Sequence, residues 1–400
     1  MKENWTYKKL GEICDVINGL WTGKKEPFVN VAVIRNTNFS KDCKLKLDDV
    51  AYIDVEAKQF ASRKLQCGDI IIEKSGGSEK QPVGRPVLFD IAEGDYSFSN
   101  FTSTLRIKEG ERINPKFLHI CLYSYYLQGV TLKMQSKTTG LHNLDMKAFL
   151  RLQIPQLPLE TQSRIVSELD LLQSIIDKQK AQLKELDNLA QAVFYDMFGD
   201  PVENDKGWEV KKLGEVCDIT SSKRIFADEY VEKGVPFYRS KEVIERSKGL
   251  PISVELFISE ERYKDVKEKY GVPELGDILI TAVGTIGKIW SVNTEDPFYF
   301  KDGNLVWLRK INKEIIDSTF FRASLVLLVE DYKEVNANGA AYNALTIIKL
   351  KEMQCVLPPL PLQQSFATKI DSIEKQKAAI NQSIAETQRL FDYTMDKYFG

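Results

Sequence analysis

The chain states its opening twice, and any fold it adopts must be built twice over. Residues 5–16 read "WTYKKLGEICDV" and residues 208–219 read "WEVKKLGEVCDI". Trp5, Lys8, Lys9, Leu10, Gly11, Glu12, Cys14 and Asp15 recur 203 positions later as Trp208, Lys211, Lys212, Leu213, Gly214, Glu215, Cys217 and Asp218. The echo extends further. "CGDIIIEKSGG" (67–77) is answered by "LGDILITAVGT" (275–285), and "INPKFLHICLYS" (113–124) by "IIDSTFFRASLV" (315–326). "IPQLPLETQ" (154–162) is answered by "LPPLPLQQ" (357–364), and the halves close on "MFG" (197–199) and "YFG" (398–400). A period near 200 residues is far too long for a solenoid, so the chain reads as a duplicated unit.

Each copy begins with some 155 residues in which short β-branched runs, such as Asp69–Ile72 and Asp277–Ile280, alternate with Gly, Asn and Ser turns and helical patterns. This predicts a mixed, α+β globular domain. The tail of each copy is helical. Ile165, Leu169, Leu172, Ile176, Leu183, Leu186, Ala190, Val193 and Met197 fall in steps of three and four, broken at Gln179. The seam repeats 201 positions on as Phe366, Ile370, Ile373, Lys377, Ile380, Ile384, Thr387, Phe391, Thr394 and Tyr398. Prolines at 155, 158, 358, 359 and 361 mark where each helix starts, and Gly199 with Pro201 suits the end of the first. The expected division is a first domain at 1–158, a helix at 159–199, a second domain at 200–358 and a helix at 359–400.

A helix of about 36 residues is about 54 Å long, more than one small domain covers. The two helices are therefore expected to pair antiparallel as a coiled coil, with one domain at each end, approximate two-fold symmetry, and the C-terminus near Trp5. Polar seam positions such as Gln179 and Lys377 are expected to set the register.

Composition excludes several function classes. No apolar run approaches a membrane span, and "MKENWTYKKLGE" has no apolar signal core, so a cytoplasmic protein without membrane attachment is expected. Six scattered cysteines without C-x-x-C suit reduced thiols. Two histidines, His119 and His142, offer neither a zinc site nor a catalytic triad. "AVGTIGKI" (282–289) lacks the first glycine and the Ser/Thr of a P-loop. "NPKF" (114–117) lacks the double proline of adenine methylases, and "DVK" (265–267) and "DYK" (331–333) are chance-level triplets. No catalytic or metal-binding residue is expected. The net charge of −2 gives no global attraction to nucleic acid, so any basic surface must be local.

With the repeated "W-x-x-K-K-L-G-E", the mid-domain "G-D-I-[IL]-I", the proline–leucine approach to each long helix and "MFGDP" (197–201), the chain resembles the specificity subunit of type I restriction–modification enzymes. The resemblance covers essentially the whole chain. It implies a non-catalytic subunit with two target recognition domains, each reading half of a bipartite sequence in double-stranded DNA. It further implies that the helices fix the spacer and dock two methyltransferase subunits, through which restriction subunits join. No cofactor is then bound by this chain. The methyltransferase would use S-adenosylmethionine, and the restriction subunit ATP and Mg.

The middles of the two domains differ: "EKSGGSEKQPVGRP" (73–86) finds no match in "TAVGTIGKIWSV" (281–292). Unlike loops on like frames imply unlike half-sites. In the first domain the expected DNA contacts are Lys74, Ser75, Gly76, Gly77, Ser78, Lys80, Gln81 and Arg85, where glycines admit phosphate and Gln suits adenine. Arg35, Asn36, Asn100, Lys137 and Thr138 join them from neighbouring polar loops. In the second domain they are Lys223, Arg224, Tyr238, Arg239, Lys241, Thr285, Lys288, Asn304 and Tyr342, with Arg224, Arg239 and Lys288 foremost. A competing reading is a bivalent coiled-coil protein scaffold without DNA specificity, which the neutral charge would suit.

Overall fold

The structure, a computed structural model, describes residues 5–21, 23, 25–79, 81–138, 140–336 and 344–400, without the side chains of 137, 138 and 336. It resolves into two compact units: residues 1–180 with 382–400, and residues 181–381. Both combine helices with antiparallel sheet, as an α+β reading requires.

In the first unit, a four-stranded antiparallel sheet runs in the order Cys14–Asn18, Thr102–Ile107, Asp69–Glu73, Pro86–Phe89. Every residue of Asp69–Glu73 is buried, which is why that strand reads as an unbroken apolar run instead of alternating. A second sheet sets Phe28–Ile34 between Ala51–Glu56, antiparallel, and Tyr96–Phe98, parallel. A hairpin of Gln135–Thr138 and Leu141–Leu144 adds to the short strand Ser75–Gly77.

The second unit repeats the plan. Its four-stranded sheet runs Asp218–Thr220, Leu305–Arg309, Ile278–Thr281, Ile289–Ser291, and Val235–Tyr238 pairs parallel with Tyr299–Phe300.

The repeated motifs are devices of this frame. In "G-D-I", Gly68 and Gly276 hold φ of +96° and +94°, and the following aspartates accept the N–H of Gln66 and Glu274 at 2.8 and 2.9 Å. A left-handed turn closed by a carboxylate thus launches each buried strand. In "K-K-L-G-E", Glu12 and Glu215 accept the N–H of Lys9 and Lys212 at 3.1 and 2.8 Å, capping one helical turn. Leu10 and Leu213 are fully buried there. The preceding lysines lie on strands Thr6–Lys9 and Glu209–Lys212, which pair with Gln153–Gln156 and Gln354–Leu357. Each opening is thereby stitched to the segment that leads into a long helix.

Those helices are α1, Leu159–Phe198, and α2, Leu360–Phe399. Each starts at a fully buried glutamine. The Gln162 amide donates to the carbonyls of Leu157 and Arg112 at 2.8 and 3.0 Å and accepts from Asn114 N–H at 2.8 Å. Gln363 does the same with Pro358, Ile315 and Asp317 at 2.7, 3.1 and 2.8 Å. Asn114 and Asp317 in turn accept from the first N–H groups of helices Pro115–Leu127 and Ser318–Asn336.

Within each unit the helices run antiparallel. In the first, Tyr398 donates to Glu168 at 2.7 Å and Gln179 to Ser383 at 2.7 Å. In the second, Lys377 meets Asp187 at 2.8 Å, and Phe194 meets Phe366 edge to face at 5.6 Å. The seam is well covered near the domains, where Ile165, Leu169, Ile176, Phe366, Ile370 and Ile373 are buried. It is only half-buried at Leu183, Leu186, Ile380 and Ile384, of which Leu186 still packs against the core of the second unit. Gln179 and Lys377, the polar breaks in the seam, are both engaged in pairs between the helices. Gly199 at φ +74° ends α1, its N–H bonded to Tyr195 O at 2.9 Å. Trp5 and Phe399–Gly400 line one cavity of about 150 Å³.

Candidate nucleic-acid interface

One frame position generates the candidate surface in each unit. In the first, Glu73 N–H donates to Arg85 O and Gly84 N–H to Glu73 O, at 3.0 and 2.8 Å. In the second, Thr281 N–H donates to Lys288 O and Gly287 N–H to Thr281 O, at 3.0 and 2.8 Å. Gly84–Arg85 therefore corresponds to Gly287–Lys288, a match the sequence comparison missed because the bridging loops, residues 74–83 and 282–286, differ in length. After the strand, Lys74 N–H donates to Phe101 O at 2.9 Å, and Ala282 N–H to Asn304 O at 2.8 Å. Leu144 and Leu345 then donate to the carbonyls of Lys74 and Ala282.

In the first unit this surface gathers Lys74, Ser75, Gly76 and Asn36. Lys74 Nζ donates to Asn18 Oδ1 at 3.3 Å, and Ser75 Oγ to Asn143 Oδ1 at 2.5 Å. Burial pulls the Lys74 ammonium below the usual lysine range. A half-desolvated cation with a neutral partner gains from an approaching phosphate. Asn36 acts as a support: its Nδ2 holds Ser75 O at 2.7 Å beneath Gly76, whose φ is +100°. Gly77 has no room for a side chain, a Cβ lying 2.7 Å from Val83. Ser78 and Gln81 close a tight turn on each other, with Gln81 exposed. Asn100 is half-buried and adjoins Phe101, which is exposed. Lys137 and Thr138 lie on the hairpin strand with side chains outside the described set, and Lys80 lies outside the described residues. Arg35 turns toward Asp49, its Nη2 3.4 Å from the Asp49 carbonyl.

Arg85 corrects the expectation. It is 3% exposed, binds Glu73 at 2.6 Å and the Phe39 carbonyl at 3.1 Å, and stacks on the Phe39 ring at 5.5 Å. It neutralises a buried carboxylate, whose own protonation burial favours, and cannot reach DNA.

In the second unit, Thr285, Lys288 and Asn304 come together. Thr281 stands where the first unit has Glu73, so Lys288 has no inward carboxylate; its ammonium has no partner among the described residues. Its N–H is held by Thr281 Oγ1 at 2.9 Å. Tyr342 lies outside the described residues. Arg224 is exposed and paired with Asp302 at 2.7 Å, and Lys223 lies over Tyr270 at 5.4 Å.

Tyr238 is a second correction: it is 3% exposed and stacks on Phe298 at 4.6 Å. Arg239 is a third. It binds the fully buried Glu242 at 2.8 Å and Glu255 at 2.9 Å, and hydrogen bonds to Glu242 hold its guanidinium well above the usual range. Lys241 binds Glu255 at 2.7 Å, and Lys241 and Arg239 together draw that carboxyl down to about 2. These cations tie helix Ser240–Ser247 to Glu255.

Residues the sequence reading passed over are Asn18, Phe101 and Asn143, and the exposed aromatics Trp21 and Phe226, 62% and 60% exposed on loops that follow the first sheet strand of each unit. The available signal was a large aromatic beside a buried aliphatic in a loop, Leu20–Trp21 and Ile225–Phe226, where one of the two must face outward. Among the described residues no cluster of His, Cys, Asp and Glu is arranged to hold a metal ion, and no helix is long and apolar enough to cross a membrane.

The profile of the type I restriction modification DNA specificity domain matches residues 2–188 and again 205–388. A Haemophilus influenzae protein named as a type I restriction enzyme specificity subunit is 26% identical over 71% of each chain. The MjaIX type I restriction enzyme specificity subunit of Methanocaldococcus jannaschii is also 26% identical, over 71% of this chain and 69% of its own. The solved type I restriction–modification S subunit of M. genitalium is 17% identical, with a TM-score of 0.53 over 100% of this chain and 98% of that one.

Proposed function

The chain belongs to the type I restriction modification DNA specificity family, and on that premise we propose that it reads a bipartite, asymmetric site in double-stranded DNA. Its role is DNA specificity within an assembly that includes methyltransferase and restriction subunits, and the enzymatic steps belong to those subunits. The bivalent scaffold reading is not favoured.

One observation carries the proposal: the two units present one frame with different chemistry at equivalent positions. Lys74, Phe101 and Asn143 stand in the first where Ala282, Asn304 and Ala344 stand in the second. A common frame sets the approach to the groove, and the differing side chains read different bases. Lys74 and Lys288 supply charge to phosphate, while Ser75, Asn143, Thr285 and Asn304 face base edges. Each long helix begins in one unit and ends in the other, and we take the pair as the ruler that sets the spacer. The same helices dock two methyltransferase subunits, through which restriction subunits join. S-adenosylmethionine, ATP and Mg serve those partners and not this chain, and the complex works in the cytoplasm.

The test is binding of the chain with its methyltransferase partner to duplex DNA across a salt series. A specificity subunit gives sequence-dependent binding with a steep negative salt slope. Weak, salt-insensitive binding contradicts it.

A further inference from the structure

The second unit carries a groove of about 650 Å³ that DNA reading does not use. It lies where the C-terminal half of α1, the first turns of α2 and helix Ser318–Asn336 meet, closed by Asp200–Glu203. The floor is apolar, made by Ala190, Phe194, Ala323, Leu327, Phe366 and Ile370. Tyr195, Val202 and Val326 stand exposed along it, by 38%, 45% and 37%. A smaller cavity of about 250 Å³ shares Pro201, Val202 and Asp331 and extends the apolar surface to Val335, 72% exposed.

The rim is acidic. Asp187 and Glu374 are paired with Lys377 at 2.8 and 2.9 Å, and Glu330 with Lys333 at 2.7 Å. Glu203, Asp331 and Glu334 have no cationic partner among the described residues. Such a rim repels a phosphate backbone and attracts basic side chains. Along helix Ser318–Asn336, Arg322, Val326, Glu330 and Glu334 recur every fourth residue, so one whole helix face is presented to the groove. The first unit is different at this place. Counted from the equivalent caps Asn114 and Asp317, Tyr123, Leu127 and Gln128 stand where Val326, Glu330 and Asp331 do, and Gln128 is already bonded to Phe399 O at 3.1 Å.

We propose that this groove receives a basic amphipathic helix of one methyltransferase subunit, its apolar stripe on the floor and its Lys or Arg residues on the rim, and that the first unit offers no equal seat. The two docked subunits are therefore held unequally. This rests on the reading above that two methyltransferases bind the chain.

The experiment is titration of the full chain with its methyltransferase subunit, read by native mass spectrometry, for the wild type, for Asp331→Lys/Glu334→Lys and for Val326→Asp, with thermal unfolding as the fold control. The wild type takes up two copies. Both variants melt like the wild type and bind one copy unchanged, while the second binds about tenfold more weakly or is lost. Unchanged binding of both copies, or equal weakening of both, overturns the groove's assignment. A wild-type chain that binds no methyltransferase overturns the docking reading itself.

Discussion

Arg85 and Lys288 hold the same place in the two copies, each with its carbonyl bonded to the strand residue before the variable loop. What that strand residue is decides where the cation goes. Glu73 draws Arg85 into the interior, whereas Thr281 leaves Lys288 at the surface. Arg85→Ala is expected to destabilise the chain by about 3–5 kcal/mol, because Glu73 is left buried and unpaired. Chemical denaturation measures this, and a loss under about 1 kcal/mol contradicts the pairing. Lys288→Ala is expected to leave stability within about 0.5 kcal/mol, to weaken DNA binding, and to lower the salt slope by about 1. No local pattern in the sequence distinguishes the two cations. The partner of Arg85 lies a loop away, and the loops differ in length, so the pairing exists only once the sheet has formed. Arg239 has one partner of each kind: Glu242 is one helical turn ahead and local in sequence, whereas Glu255 is met only in the fold.

At the scale of elements, the motifs that announce the duplication are turns, caps and helix starts, and so they were legible as punctuation. Their chemistry was not. Gln162 and Gln363 look like ordinary residues in a helix's first turn, yet each satisfies two carbonyls and an N–H that burial would otherwise leave open. Gln162→Ala and Gln363→Ala are each expected to cost about 1–3 kcal/mol per orphaned group, measured as loss of unfolding free energy. A cost near zero would mean that water replaces the amide. The long helices were legible because their apolar steps persist for many turns. Their half-buried middles were not, because periodicity reports which face is apolar and not what covers it. If the helices are a ruler, four residues inserted into each, near Lys180 and Gln382, lengthen both by about 6 Å. The methylated motif should then gain spacer, and an unchanged spacer contradicts the ruler.

For the whole molecule, the sequence carried the plan because a duplicated frame repeats its turn and capping residues at a nearly constant offset. It could not carry the reading surface. The residues there differ between copies, and likeness alone found no match between Gly287–Lys288 and Gly84–Arg85. The account makes the chain a single reader with two unlike halves. The most direct test maps methyladenine across the host genome with the chain present and deleted. The expected result is the disappearance of one methylated motif, made of two different half-sites around a fixed gap, with all other methylation intact. Methylation that persists unaltered, or a lost motif that is continuous or has two identical halves, would contradict the account.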